Sequence, residues 1–295
     1  MHTTGLVWLT HNALLAWQAV QIRLGEMIAP SFLVLVLVIL LLEQLIPARP
    51  GEKVFRASLL QDAVWFFIQA IGVATILAVY ALWLKGMYEK HLDFLTITPV
   101  AELPEWLSLL LGFVFVDFLH WLQHVVHHKV PWFWHFHVVH HSQRNINLFT
   151  DYRYHVGEYL VRETLYFIPL MMFGVRLPEI VLLSLFLVWH ARFYHSNIKS
   201  NLGFLRYLIV TPQSHRIHHS IEAQHRDKNY GAFFSFWDRI FGTQSPDYLT
   251  YPETGVSEPH FPNDDSSSVL NVVIKPIVQL VYPFKAIAKS LYPRV

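Results

Sequence analysis

Histidine clusters are the part of this chain most able to do chemistry. His124-Val-Val-His127-His128 is followed, across Pro131, by His137-Val-Val-His140-His141. The pattern returns as His215-Arg-Ile-His218-His219. Of 19 histidines, 15 fall between His120 and His225, spread through apolar sequence rather than gathered in a tail. On a helix, residues three and four apart share a face. HxxHH therefore aims three imidazoles into one sector of roughly 100°. Three such clusters on three neighbouring helices surround a volume with eight or more ring nitrogens. One first-row metal takes at most about six ligands, so the number argues for two metal ions.

Imidazole suits zinc, copper, iron and nickel, so ligand type alone does not choose. Four ligands satisfy structural zinc. A zinc hydrolase would show HExxH with its glutamate base, and the chain contains none. Haem needs only one or two axial histidines. The two ExxH motifs that soluble di-iron bundles use together are also not both present. Iron is favoured. Neutral imidazoles leave the metals' charge uncompensated, which calls for carboxylates on the ligands' outer nitrogens. Asp117, two helical turns before His124 and on its face, is the candidate. Helical spacing leaves His127 and His128 equivalent. His120 shares the ligand face, and it and His127 are expected to act behind the ligands. His135 is expected to pack among Trp132, Phe133 and Trp134, and His155 divides between a supporting and a structural role. Asp151, Glu158, Glu163 and Asp238 read as helix caps or ion-pair partners.

The elements that position these clusters read as membrane helices. Hydrophobic residues make up 54% of the 295 and charged residues 15%, with positive mean hydropathy; soluble domains carry about 25% charge. The net charge of +1 points to no nucleic-acid partner. There is no cysteine, hence no disulfide, thiolate nucleophile or sulfur ligand. Met1–Glu26 lacks a basic n-region and cleavage site and reads as an apolar helix lying along or dipping into the bilayer. Met27–Ile46 and Ala63–Leu84 read as spans. A third helix runs from about Pro104 to His128, longer than the hydrocarbon core, so that its histidines emerge. Lys and Arg in the 47–61 connector place that side, and the clusters, in the cytoplasm. Thr164–Val175 and Leu177–Val188 form either a re-entrant hairpin or two short spans. Val269–Val295, with Lys275, Lys285, Lys289 and Arg294, reads as an amphipathic helix on the membrane surface. The expected architecture is an all-α integral membrane bundle, with about four spans or three plus a hairpin, under a cytoplasmic His-rich cap. It forms one domain over 1–295: membrane helices to 103, a catalytic core over 104–243 and a tail over 244–295.

Asp117…Trp121…His124-x-x-x-His128-Lys-Val-Pro131…Trp134…His137-x-x-His140-His141-Ser142 resembles the first two boxes of the fatty acid hydroxylase/sterol desaturase superfamily. His195-Ser-Asn, Thr211-Pro-x-x-His215-Arg-x-His218-His219 and Asp227-Lys-Asn229-Tyr230-Gly231…Trp237-Asp238-Arg239-x-Phe241-Gly242-Thr243 resemble its third, closest to the alkylglycerol monooxygenase branch. The resemblance covers roughly Gly112–Thr243. It implies a membrane non-haem di-iron oxygenase that hydroxylates or desaturates a lipid such as an alkylglycerol, sterol or fatty acyl chain. It implies O2 and electrons from a cytochrome b5-like, ferredoxin-like or reduced-pterin donor, with the bacterial inner membrane or the endoplasmic reticulum as its place. The implied iron ligands are His124, His128, His137, His140, His141, His195, His215, His218 and His219. His190 is a candidate tenth, and Asn229 a candidate substrate or cap residue. Two other classes use the same clusters: a zinc-dependent membrane hydrolase and a non-catalytic metal-binding membrane protein.

Overall fold

The computed structural model describes residues 29–52, 57–97, 103–173, 177–258, 260–263 and 268–291, with Gln21 and Gly25. The N-terminal apolar segment, Met27, Ile28, Arg56, Arg176 and Arg294 lie outside them. Among the described residues the regular structure is helical, with only isolated β-bridges.

Helix α1 (Pro30–Leu45) opens on a proline at its first turn and stops just before Pro47. Its outward residues Leu33, Val34, Leu37, Val38 and Leu41 are apolar and exposed, as on a surface meant for lipid. Helix α2 (Ala57–Phe67) continues through a π-helical turn (Ile68–Val73) into α3 (Ala74–His91), longer at both ends than the predicted span. The π turn aims Gln69, whose Nε2 donates to Tyr154 O at 2.6 Å, into the loop beneath the second histidine box.

Helix α4 (Glu105–Lys129) is 25 residues, about 37 Å long, against a hydrocarbon core of about 30 Å. Pro131, with no N–H to give, ends it at the extended Val130 and starts α5 (Pro131–His141). One residue thus separates two histidine helices, and they fold back on each other. Helices α6 (Val156–Met172) and α7 (Leu177–Tyr194) correspond to the two shorter apolar runs. At about 26 and 27 Å they fall just short of the core thickness. Helix α8 (Pro212–His218) is short but firmly begun: Thr211 and Ser214 exchange capping-box hydrogen bonds and Pro212 takes the first turn. Helix α9 (Phe236–Ile240) and helix α10 (Val269–Leu291) complete the described elements.

Three helical stretches are long and apolar enough to cross a membrane: Leu59–His91, Leu109–Lys129 and Val269–Leu291; Pro30–Leu45 is a shorter apolar helix. Helix α10, expected as an amphipathic surface helix, is also long and apolar enough to cross a membrane. Val272, Pro276, Gln279 and Pro283 pack inward, against α2 and α5, yet Val273, Ile274, Ile277, Val278, Val281 and Phe284 point outward. Lys285 and Lys289 are exposed beside them. Helix α3 packs on α6, α4 on α5 and α6, and α7 on α8, which draws the three histidine boxes to one end of the bundle.

Candidate metal centre

Four helices deliver nine imidazoles to one place. Helix α4 carries His124 and His128 one turn apart, and α5 carries His137, His140 and His141. His195 follows the last turn of α7, and α8 carries His215 and His218 with His219 as its C-cap. They form two groups: His124, His128, His137, His141 and His218, and His140, His195, His215 and His219. Within each group the ligand atoms all lie within 4.8 Å of one another. The groups abut, with the rings of His141 and His219 stacked at 4.3 Å.

The outer nitrogens show why the inner ones converge. A carbonyl oxygen only accepts, so an Nδ1 bonded to one carries the proton. His124 Nδ1 donates to Tyr230 O at 2.8 Å, His195 Nδ1 to Ala191 O at 2.8 Å, and His218 Nδ1 to Lys228 O at 2.8 Å. Each of these rings, when neutral, therefore holds a bare lone pair on Nε2. The Nε2 atoms meet: His124 to His137 at 3.1 Å, His137 to His141 at 3.1 Å and His128 to His141 at 3.2 Å. In the second group His140 to His195 is 3.2 Å, His195 to His215 2.8 Å and His215 to His219 3.0 Å. Lone pairs crowded this closely repel unless a cation lies among them. With metal–nitrogen bonds of about 2.1 Å, neighbouring ligands stand about 3.0 Å apart at right angles and about 3.4 Å apart in a tetrahedron. The separations of 2.8–3.2 Å are those of neighbouring ligands on one metal ion.

The electrostatics agree. Burial, reinforced by neighbouring imidazoles, holds His140, His141, His215 and His219 well below the usual imidazole range. Burial holds His195 and His218 down to about 3. These rings are neutral at physiological pH, the form that binds metal. The groups fit metal ions in donor type, protonation and spacing.

Residues 109–243 match the family model for fatty acid hydroxylase. This segment is a fatty acid hydroxylase domain. The chain is 34% identical over 139 residues to alkylglycerol monooxygenase of Homo sapiens, covering 47% of this chain and 30% of that protein. It is 29% identical over 140 residues to ornithine lipid hydroxylase OlsE of Rhizobium tropici, covering 48% and 42%. A cholesterol 25-hydroxylase-like protein of Danio rerio is 24% identical over 192 residues, 64% of this chain and 75% of that one. The chain thus spans well under half the length of the first two relatives. No solved structure matches it. Its three long apolar helices support a multi-pass membrane protein.

Inside the fatty acid hydroxylase domain several residues stand elsewhere than the sequence suggested. Asp117 does not reach an imidazole. Its carboxylate accepts from Phe233 N at 2.8 Å, Phe234 N at 3.0 Å and Trp237 Nε1 at 2.9 Å. Seven residues put it on the face of His124 but about 10.5 Å away along the axis, level with the 233–237 segment. Asn229, at φ 57°, staples a loop: Nδ2 donates to Ser214 O at 2.9 Å and Oδ1 accepts from Ser245 N at 2.8 Å. His190 belongs to neither group; its ring packs on Tyr194 and Phe233. Five helical residues turn it about 140° from His195. His127 faces Gln123, His120 bonds Val116 O, and His135 lies against Tyr282. His155 is structural: its Nδ1 caps α6 by accepting from Gly157 N, and its Nε2 donates to Leu280 O at 2.9 Å.

A carboxylate that does hydrogen-bond a converging imidazole is Glu158. Its Oε1 accepts from His137 Nδ1 at 2.8 Å, with both side chains at most 4% exposed. The one signal in the sequence was an acid in the first turn of an apolar helix directly after the second box. The loop after the third box has a plainer role than substrate contact. The carbonyls of Lys228 and Tyr230 orient His218 and His124, and Asp238 fixes that loop by accepting from Tyr230 N, Gly231 N and Trp121 Nε1. Glu158→Gln should leave the fold intact and weaken metal retention by about 10–100-fold. Bound metal counted after stepwise chelation checks this, and wild-type retention would remove Glu158 from the site.

Proposed function

We propose that the two imidazole groups hold two iron ions, and that the protein uses O2 and external electrons to hydroxylate a membrane lipid. The observation that carries the reading is the convergence of nine imidazoles, from four helices, into two abutting groups at one end of an apolar bundle. The chemistry that bound iron supplies is O2 reduction coupled to oxidation of an unactivated C–H bond. One oxygen atom enters the C–H bond; the other leaves as water, with two electrons and two protons drawn from a separate donor.

The chain's own part is position and dryness. The bonds from His124, His195 and His218 to main-chain carbonyls, and from His137 to Glu158, lock the rings before metal arrives. Tyr154 and Tyr194 cover the four-imidazole group: Tyr154 stacks on His140 at 4.2 Å and Tyr194 lies 4.3 Å from His215. The packed apolar residues Val116, Leu119, Tyr166, Leu170 and Leu187 lie on the bundle side of the domain. In this reading an alkyl chain approaches from the bundle while the headgroup stays wet on the cytoplasmic side. Residues 1–295 act as one unit, with 104–243 as the catalytic core. If the lipid is an alkylglycerol, hydroxylation beside the ether oxygen gives a hemiacetal, which collapses to an aldehyde and an alcohol. Sterol and fatty acyl substrates fit the same chemistry.

The test is lipid extraction from cells with and without the protein, read by mass. A lipid that gains one oxygen only when the protein is present supports hydroxylation, and loss of two hydrogens would redirect the reading to desaturation. Unchanged lipids together with absent O2 uptake by the purified, reduced protein would defeat it.

A further inference from the structure

An open pocket of about 410 Å3 reaches the centre from the loop side and treats the two groups unequally. Its walls include His128, His141 and His218 of the five-imidazole group. His140, His195, His215 and His219 do not line it, and each is at most 2% exposed. His218 has committed Nδ1 to Lys228 O, and its buried Nε2 has no hydrogen-bond partner among the described residues. The remaining wall carries Glu222, Asp227 and Glu258 against the single cation Arg226. Asp227 leans toward the centre, with Oδ1 3.5 Å from His128 Nδ1 and Oδ2 2.7 Å from Lys129 Nζ.

We propose that this pocket is the port by which divalent metal ions enter, so that the five-imidazole group fills before the four-imidazole group. The inference rests on the reading that both groups hold metal. A divalent cation with six waters occupies about 180 Å3 at about 30 Å3 per water, so it enters the pocket still hydrated. Carboxylates at the mouth raise its local concentration and offer oxygen ligands as waters leave. The imidazoles of His128, His141 and His218 are the first nitrogens it meets. The second group stands behind them, with His219 stacked on His141 and its ring centroid 5.4 Å from that of His218 in an edge-on arrangement. An ion bound for that group passes the first, and leaves by the same way.

Ser257 is exposed at the mouth and belongs to neither imidazole group, so a charge placed there acts on entry alone. Metal-free full-length protein in detergent is mixed with Co(II), portions are quenched in excess chelator, and bound cobalt is counted against time. The wild type should take up two ions per chain in two phases, and His215→Ala should keep only the fast one. Ser257→Lys should slow the fast phase about tenfold at low salt and Ser257→Glu should hasten it, with the difference disappearing at high salt. Two ions taken up in a single phase, or at the same rate in both Ser257 variants, would overturn the port while leaving the two-ion reading intact. A wild type that retains no cobalt would overturn both.

Discussion

His215→Ala should abolish lipid oxidation and leave one metal ion per chain instead of two. His215 Nε2 lies 2.8 Å from His195 Nε2 and 3.0 Å from His219 Nε2, the only ring nitrogen of its group in close contact with both. Its removal leaves three imidazoles where four converged. The five-imidazole group shares none of its members with the damaged one. Loss of a residue behind a metal ligand typically costs 10–100-fold in affinity or activity; loss of a direct donor should exceed that, so turnover should fall by more than about a hundredfold. Product measured by mass and metal counted on the same sample check the two halves together. Retained activity with two ions would show that the third box is not part of the centre.

The second large effect concerns stability. Asp62 and Arg153 form an ion pair with side chains at 1% and 0% exposure, and Arg153 Nε donates to Asp62 Oδ1 at 2.7 Å. Asn147 Nδ2 donates to Asp62 Oδ2 at 3.1 Å, and Gln143 Nε2 lies 3.4 Å from the same oxygen. One carboxylate on α2 thus gathers the segment that leads from the second histidine box toward Glu158. Removing one partner of a buried pair typically costs about 3–5 kcal/mol. Asp62→Ala should therefore destabilise the protein by that amount in denaturant or thermal unfolding in detergent. Replacing both partners with leucine should restore part of the loss, because the buried guanidinium goes too. A change below about 1 kcal/mol in Asp62→Ala would mean the pair does not hold this segment.

Much of this arrangement was legible in the residues. Pro131 marked the break between α4 and α5, Pro104 the start of α4, and the three- and four-residue spacing of the histidines put them on common faces. Choosing His128 over His127 was beyond helical spacing and came from the family pattern; the structure sets His128 among the converging rings and turns His127 to Gln123. What stayed hidden has physical causes. The acceptors that orient His124, His195 and His218 are main-chain carbonyls, which every residue has and no sequence advertises. Asp117 was misread because a shared face says nothing about axial distance. Glu158 was passed over because its partner His137 lies 21 residues away, across a turn that only the fold closes. Helix α10 carries exposed Lys285 and Lys289 beside exposed apolar residues such as Ile277 and Phe284, a mixture that spacing alone could not sort into faces.

The central claim is best tested by counting metals in the protein purified anaerobically from iron-supplied cells, with iron and zinc measured against chain concentration. The account predicts two irons per chain, both lost when His137 and His215 are replaced together. One ion per chain, or zinc filling both groups with no O2 uptake on reduction, would contradict it.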